Sequence, residues 1–226
     1  MKFLIKSLFL LAFFGSALSG LAQIPDSLID KKTKHVIKKV AKRMDHYSAL
    51  KSSITIVANR TDGTVDTSNL DVFIKANKYK MIWHRKGIID EYYDDGVTNA
   101  YYSSKRNEVE LDSSNNLISD DSTFSPVTFF KICKKGFRYT FAGQDTSNGK
   151  VVERIDLTPL LNRSKKYALV SFYIDKKSNC ISKICVHFIS GYQVTYFIDS
   201  FWPNEEIPDD TFLFNQSQHP GVKTGC

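Results

Sequence analysis

The fold is decided by residues 167–198, which read YALVSFYIDKKSNCISKICVHFISGYQVTYFI. Runs of β-branched and aromatic residues are separated here by the polar turn residues 175–179 and by Ser190-Gly191. Such runs between short turns are typical of an antiparallel meander. The three predicted strands cover residues 167–174, 180–189 and 192–198.

These strands are apolar on both faces. Val170 and Phe172 alternate with Leu169 and Tyr173, so neither face of that strand is polar throughout. A sheet with one solvated face shows a clean alternation of apolar and polar residues. Two interpretations follow. Either both faces are core, as in a sandwich, or one face lines an apolar cavity under helices on the concave side of a curved sheet.

Alternation with a period of two extends over most of the chain, as expected for half-buried strands. No linker and no internal repeat divides it, so we expect one domain of about ten antiparallel strands. The remaining predicted strands cover residues 54–58, 70–75, 79–84, 98–103, 107–111, 137–141 and 151–157.

Two helices are expected besides the strands. Apolar residues at three- and four-residue steps predict a helix over Asp26–Tyr47, with Asp26 or Ser27 as its N-cap. After a polar loop at 112–123, Ser125-Pro126 begins a short apolar helix that ends at Gly136. The fold class is therefore mainly β with helices (α+β): an N-terminal helix, about ten strands, and a short helix inserted midway.

Charge is concentrated on the first helix. The 226 residues include 31 Lys and Arg against 24 Asp and Glu, a net charge of +7, with 42% hydrophobic residues, as in an ordinary globular protein. A solvated basic face is the simpler interpretation, and an acidic partner or an anionic membrane surface is the alternative. No basic-aromatic strand motif suggests nucleic acid. The basic positions are Lys31, Lys32, Lys34, Lys38, Lys39, Lys42 and Arg43.

The first 22 residues have the layout of a secretory signal peptide. Lys2 and Lys6 precede the apolar run Leu8–Phe14, and small residues follow up to Ala22. A membrane anchor is the alternative, but a span needs about 20 apolar residues. We therefore expect residues 1–22 to be removed and residues 23–226 to form a single exported domain.

No motif for catalysis or metal binding is present. The sequence contains no G-x-S-x-G, no H-E-x-x-H and no Gly-rich phosphate loop. Cys133, Cys180, Cys185 and Cys226 form neither a zinc pattern nor a disulfide framework, so free thiols are the simpler expectation. We expect no enzyme, no cofactor and no metal. A hydrolase, as an alternative, would need a convergent polar cluster inside the concavity.

Several short motifs follow one another in an informative order. They are 71–81 (DVFIKANKYKM), an Asp95-Gly96 turn before an aromatic strand with Tyr102, Ser125-Pro126 with a Phe-rich helix, 135–139 (KGFRY), 207–214 (IPDDTFLF) and 219–222 (HPGV). Together they resemble the LolA-type outer-membrane lipoprotein carriers of Gram-negative bacteria, in the divergent form with a similar Pro-Gly-Val tail.

This resemblance implies a fold and a function. The fold would be an unclosed, strongly curved antiparallel β half-barrel with helices across the concave face. The function would be that of a monomeric periplasmic chaperone that takes acylated lipoproteins from an inner-membrane release complex and passes them to an outer-membrane acceptor. The chain departs from the family at Ala76, where an Arg helps to hold the lid, and at Ala100, where a Trp is usual.

The predicted ligand contacts are the inward-facing apolar residues of the early strands and the inserted helix. The same residues would look identical in sequence if they were simply core, and a register error of one residue would invert the face. A non-enzymatic envelope module that binds another lipid or a protein is the alternative function. The predicted contacts are Ile54, Ile56, Leu70, Val72, Ile74, Tyr79, Met81, Trp83, Tyr102, Phe129, Phe130 and Ile132.

Overall fold

The structure is a computed structural model, and it describes residues 31–44, 46–112, 137–147, 149–160 and 166–225. In this part of the chain, one α-helix, α1 (Lys31–Met44), precedes a single sheet of twelve strands. The strands are β1 (Ala49–Asn59), β2 (Val65–Lys75), β3 (Lys78–Arg85), β4 (Ile88–Asp94), β5 (Asn99–Ser103), β6 (Glu108–Asp112), β7 (Phe137–Ser147), β8 (Lys150–Pro159), β9 (Tyr167–Asp175), β10 (Ile181–Phe188), β11 (Gln193–Pro203) and β12 (Lys223–Gly225).

The sheet is open. Its strand order is β12-β6-β5-β4-β3-β2-β1-β11-β10-β9-β8-β7, so β12 and β7 are the two edges and do not pair with each other. All neighbours are antiparallel except β12 and β6, which are parallel. This arrangement confirms the expected fold class, an unclosed and mainly antiparallel sheet.

Two of the twelve strands, β4 and β12, have no counterpart among the predicted strands. β4 reads IIDEYYD, and its buried Asp90 interrupts the apolar alternation that marks a strand. β12 has three residues and pairs only with β6. A strand this short leaves no periodic signal, because a period of two needs about four residues to be recognised.

The two halves of the sheet join between β1 and β11. Ile54 of β1 lies opposite Leu70 of β2 on one side and opposite Ile198 of β11 on the other. Register shifts at Ser53/Ile54 mark an irregularity in the pairing with β11. The first and the last long strands are therefore neighbours in the middle of the sheet.

One face of the sheet, called the inner face here, is the face against which α1 packs. Val36 and Val40 of α1 are buried in the same cluster as Ile155, Phe172 and Ile184. The apolar side of the helix packs against the alternate strand residues that point toward it, as its amphipathic pattern predicts. The helix therefore covers the inner face and exposes its basic side.

The opposite face, called the outer face, is covered in part by the C-terminal segment 204–222. Phe212, which is 1% exposed, packs with Ile207, Ala49 and Phe73. Further along, Phe214 and Val222 pack against the outer sides of β4, β5 and β6 at Tyr93, Ala100 and Val109. On the outer sides of β8, β9 and β10, Val152, Tyr173 and Cys185 form a separate small buried cluster.

The first helix ends earlier than the sequence predicts. Met44 is its last residue. Tyr47 lies in the turn that follows, and its backbone amide donates a hydrogen bond to the Met44 carbonyl at 3.2 Å. The bond joins residues three apart, so the chain has already left the four-residue spacing of an α-helix. The predicted start at Asp26, the inserted helix at 125–136, the signal peptide, Cys133 and Cys226 lie outside the described residues.

None of the helices that the structure describes has the length and the apolar character needed to cross a membrane.

Candidate functional site

An apolar cavity lies on the inner face, where the two halves of the sheet meet. The enclosed space is about 20 Å³, room for about one water molecule, within a concavity of about 480 Å³ that includes space open to solvent. All of its lining residues lie toward one end of the sheet. They are Met44, Leu50, Ser52, Ile54, Val72, Cys180, Ile181, Ile184, Ile198 and Phe201.

The lining is apolar because the strands turn alternate residues to the inner face. Ile54, Val72 and Ile198 come from three neighbouring strands and share that face by register. Ser52 is the one hydroxyl among the lining residues, and it donates a 2.7 Å hydrogen bond to the Ser200 carbonyl. Because this hydroxyl already donates to the backbone, it needs no polar ligand as a partner. The interior can therefore hold a hydrocarbon group without leaving that donor unpaired.

A polar pair lies at the edge of the cavity. Arg43 donates through Nε to the Tyr47 hydroxyl at 2.6 Å. The Tyr47 ring packs edge-on against Phe201, another lining residue, with 5.5 Å between the ring centroids. Arg43 and Tyr47 therefore lie beside Phe201, at the edge of the cavity.

The electrostatics of the mouth are basic. The hydrogen bond to Tyr47 raises the pKa of Arg43, and partial burial raises the pKa of Tyr47. Both side chains therefore keep their ordinary charge at neutral pH. Lys176 and Lys177 are exposed on the turn that leads into Cys180, so positive charge surrounds this opening on the side of α1 and β10.

That turn is held by a carboxylate. Asp175 accepts hydrogen bonds from the backbone amides of Lys177 at 2.7 Å and of Ser178 at 2.9 Å. These bonds favour the charged form, so they lower the pKa of Asp175. The turn therefore presents Cys180 and Ile181 to the cavity from a fixed position.

The predicted contact residues are only partly brought together at the cavity. Ile54 and Val72 line it. Ile56, Leu70 and Met81 are buried elsewhere in the inner-face core. The remaining inner-face positions, which are partly buried against the same core, are Ile74, Tyr79 and Trp83.

Tyr102 lies on the other side of the sheet. Its ring is 4.1 Å from the ring of His219 and 6.0 Å from that of Phe214, both in the C-terminal segment. Its hydroxyl bonds to Asn107 at 3.2 Å. The structure thus separates Tyr102 from the other predicted contacts. Phe129, Phe130 and Ile132 lie outside the described residues.

Sequence reasoning missed most of the lining residues. Ile181, Ile184 and Ile198 belong to strands that were predicted, but nothing in the sequence places those strands beside β1. Met44 belongs to the apolar stripe of the predicted helix. Cys180 was considered only as a thiol, although it lines the cavity as a free one. These residues meet because of the strand order, and no pattern in the sequence gives that order.

The inner face becomes polar away from the cavity. Asp90 is 2% exposed and forms an ion pair with Arg85, whose guanidinium lies 4.6 Å from the centre of the Trp83 ring. Trp83 donates to the Ser68 hydroxyl at 2.9 Å. No cluster of three His, Cys, Asp or Glu side chains that could hold a metal occurs in the described part of the chain.

Solved structures of distant proteins share this fold. An uncharacterized conserved protein from Thermus thermophilus matches with a TM-score of 0.57 and 8% identity, over 86% of this chain and 99% of that one. The Mycobacterium tuberculosis lipoprotein LppX matches with 0.51 and 12% identity, over 80% and 100%. LprF from Mycobacterium bovis matches with 0.51 and 10% identity, over 80% and 97%.

These likenesses define the class of fold. The chain shares the fold of these three proteins. No protein-family model matches the sequence, and no curated protein matches it either. At identities this low the likeness shows the fold alone, so the function must be argued from the cavity.

Proposed function

We propose that this protein is a non-enzymatic carrier that shelters the acyl chains of lipoproteins in the apolar cavity. The observation that carries this proposal is the cavity itself, bounded almost entirely by hydrocarbon side chains. Moving an acyl chain from water into such a cavity gains about 0.8 kcal/mol per CH₂ group. The fold and the sequence motifs are consistent with this role.

The location and the partners follow from the same proposal. The signal-like first 22 residues would direct the chain to the periplasm, where it would take acylated lipoproteins from an inner-membrane release complex. It would then pass them to an outer-membrane acceptor. A carrier of this kind must release its cargo again, so binding by hydrocarbon contact alone, without covalent attachment, suits the task.

The test is to fill the cavity. Ile198 is half-buried in its wall, and Ile198→Trp would place a large ring where the chain lies. Steric overlap costs about 1–3 kcal/mol, so we expect uptake of a fluorescent acyl probe to weaken about tenfold or more. Ile189→Trp is the matched control, because Ile189 is 71% exposed and does not line the cavity.

Native mass spectrometry of the protein isolated from a bacterial periplasm identifies the cargo. Adducts with triacylated lipoproteins or acyl lipids in the wild type, lost in Ile198→Trp and kept in Ile189→Trp, are the expected result. A wild-type protein that carries no lipid and takes up no hydrophobic probe would overturn the carrier function. That outcome would favour a binding module with the same fold and a protein ligand.

We also propose that the basic side of α1 touches anionic membrane surfaces during transfer. Lys38 and Lys39 are exposed, and α1 contains no acidic residue. Each Lys near an anionic surface contributes about 1 kcal/mol. Lys38→Gln with Lys39→Gln should therefore weaken sedimentation with phosphatidylglycerol vesicles about ten- to thirty-fold at low salt. Lys105→Gln with Lys223→Gln, both exposed and outside α1, should change it little, and equal losses would refute the assignment.

A further inference from the structure

We infer that the cavity takes the acyl chain of an anionic amphiphile, whose carboxylate or phosphate is bound by Arg43 at the mouth. This inference rests on the proposed function, because it needs an acyl chain in the cavity. It goes beyond lipoproteins, whose acyl groups end in neutral esters and amides, to free acyl lipids that carry a carboxylate or a phosphate. The hydrocarbon is selected by the walls, and the charge is selected by one guanidinium.

The position of Arg43 is the first support. Met44, the next residue along α1, lines the cavity, and Arg43 itself is exposed at the end of the helix. Its side chain bonds to Tyr47, whose ring packs on Phe201 of the cavity wall. A polar group that ends an acyl chain in the cavity would therefore emerge beside this guanidinium.

The free bonding capacity of Arg43 is the second support. Its Nε donates to Tyr47, and no carboxylate forms an ion pair with it among the described residues. Arginine has five N–H donors in a planar fork, of which Nε supplies one. The two terminal nitrogens can therefore bind a carboxylate or a phosphate through two parallel hydrogen bonds.

The hydrogen bond to Tyr47 is the third support, because it orients the fork before the ligand arrives. A guanidinium held by one bond loses less conformational entropy on binding than a freely rotating side chain. The exposed Lys42, Lys176 and Lys177 add positive charge around the same opening without themselves lining the cavity. Their contribution is long-range attraction, which salt screens.

The experiment compares ligands of equal chain length by titration calorimetry: dodecanoate, dodecyl phosphate and dodecanol, with inorganic phosphate as a chain-free probe. Hydrogen bonds to charged groups are the strong ones, so we expect dodecanoate and dodecyl phosphate to bind the wild type about tenfold more tightly than dodecanol. Arg43→Gln should remove that advantage and leave dodecanol affinity unchanged. Inorganic phosphate should bind far more weakly than either anionic amphiphile.

Two further variants separate charge from structure. Lys31→Gln removes one charge at the far end of α1, about 18 Å away at 1.5 Å per residue, and should keep the tenfold preference. Tyr47→Phe keeps the ring against Phe201 and removes the hydroxyl, so the preference should fall about threefold as the fork loses its orientation. Thermal unfolding of each variant shows whether it is folded.

The outcomes are distinct. Equal affinities of the wild type for dodecanoate and dodecanol would overturn this inference and leave the acyl carrier standing. A wild type that binds none of the amphiphiles would overturn the carrier as well. If Arg43→Gln loses dodecanol along with the anions, Arg43 supports the cavity walls and the inference fails. Tight binding of inorganic phosphate would also overturn it, because the site would then take a free anion.

Discussion

Both faces of the sheet carry apolar side chains, but the two faces are covered in different ways. On the outer face, the C-terminal segment fills the apolar surface with its own side chains, and Phe212 and Phe214 pack there as ordinary core. On the inner face, α1 covers the sheet but leaves empty space at the junction of β1, β2, β10 and β11. Similar apolarity in sequence thus hides one surface that the C-terminal segment covers in part with its own side chains and one at which a cavity stays open.

The largest effect on stability is expected at Phe212, on the outer face. Its side chain is 1% exposed in the outer-face cluster, so Phe212→Ala should lower the free energy of unfolding by about 3–5 kcal/mol. Urea denaturation measures this loss. Ile198→Ala, at a half-buried wall where space already exists, should cost less stability.

For acyl-probe affinity we expect the opposite order of effects. Measured at a temperature where both variants are folded, Phe212→Ala should keep its affinity for an acyl probe, and Ile198→Ala should lose part of it. If Phe212→Ala weakened binding as much as Ile198→Ala did, the two faces would not be separate in function.

A medium effect is expected at Asp175, which holds the turn at the cavity mouth. Two amide bonds to its carboxylate contribute about 1–2 kcal/mol after allowance for solvent screening, and Asp175→Ala removes them. Because the folded pKa of Asp175 is lowered, this stability is present above the unfolded pKa of about 3.9 and is lost as pH falls through the folded pKa.

The difference in unfolding free energy between wild type and Asp175→Ala should therefore be full at pH 7 and shrink below about pH 4. Asp209 is the matched carboxylate on the outer-face side, where ion pairs with Lys75 and Lys78 also lower its pKa. It is exposed, so Asp209→Ala should change stability less than Asp175→Ala. A larger effect at Asp209 would contradict the distinction between the two sites.

The smallest effect is expected at Tyr102, which the sequence motifs suggested as a ligand contact. Tyr102→Phe keeps the ring against His219 and removes the hydrogen bond to Asn107. We expect a loss of about 1 kcal/mol in unfolding free energy and no change in acyl-probe affinity. A clear loss of affinity would show that the outer face takes part in binding, and would remove the contrast between the faces.

Local structure and the grouping of residues on one face can be predicted from neighbouring residues in the sequence. The alternation in β1, β2 and β3 correctly grouped Ile54, Leu70, Val72 and Met81 on one side, because successive side chains of a strand point in opposite directions. The basic helix and its apolar stripe followed from the 3.6-residue period in the same way. These are short-range properties, written in neighbouring residues.

Which distant elements form the cavity depends on the tertiary structure and cannot be predicted from local patterns. The pairing of β1 with β11 joins Ile54 to Ile198, and no local pattern states that these strands are neighbours. The same holds for Tyr47 beside Phe201 and for Tyr102 under the C-terminal segment. Periodicity tells which residues share a face, but the direction of that face and the element that covers it depend on contacts between residues far apart in the chain.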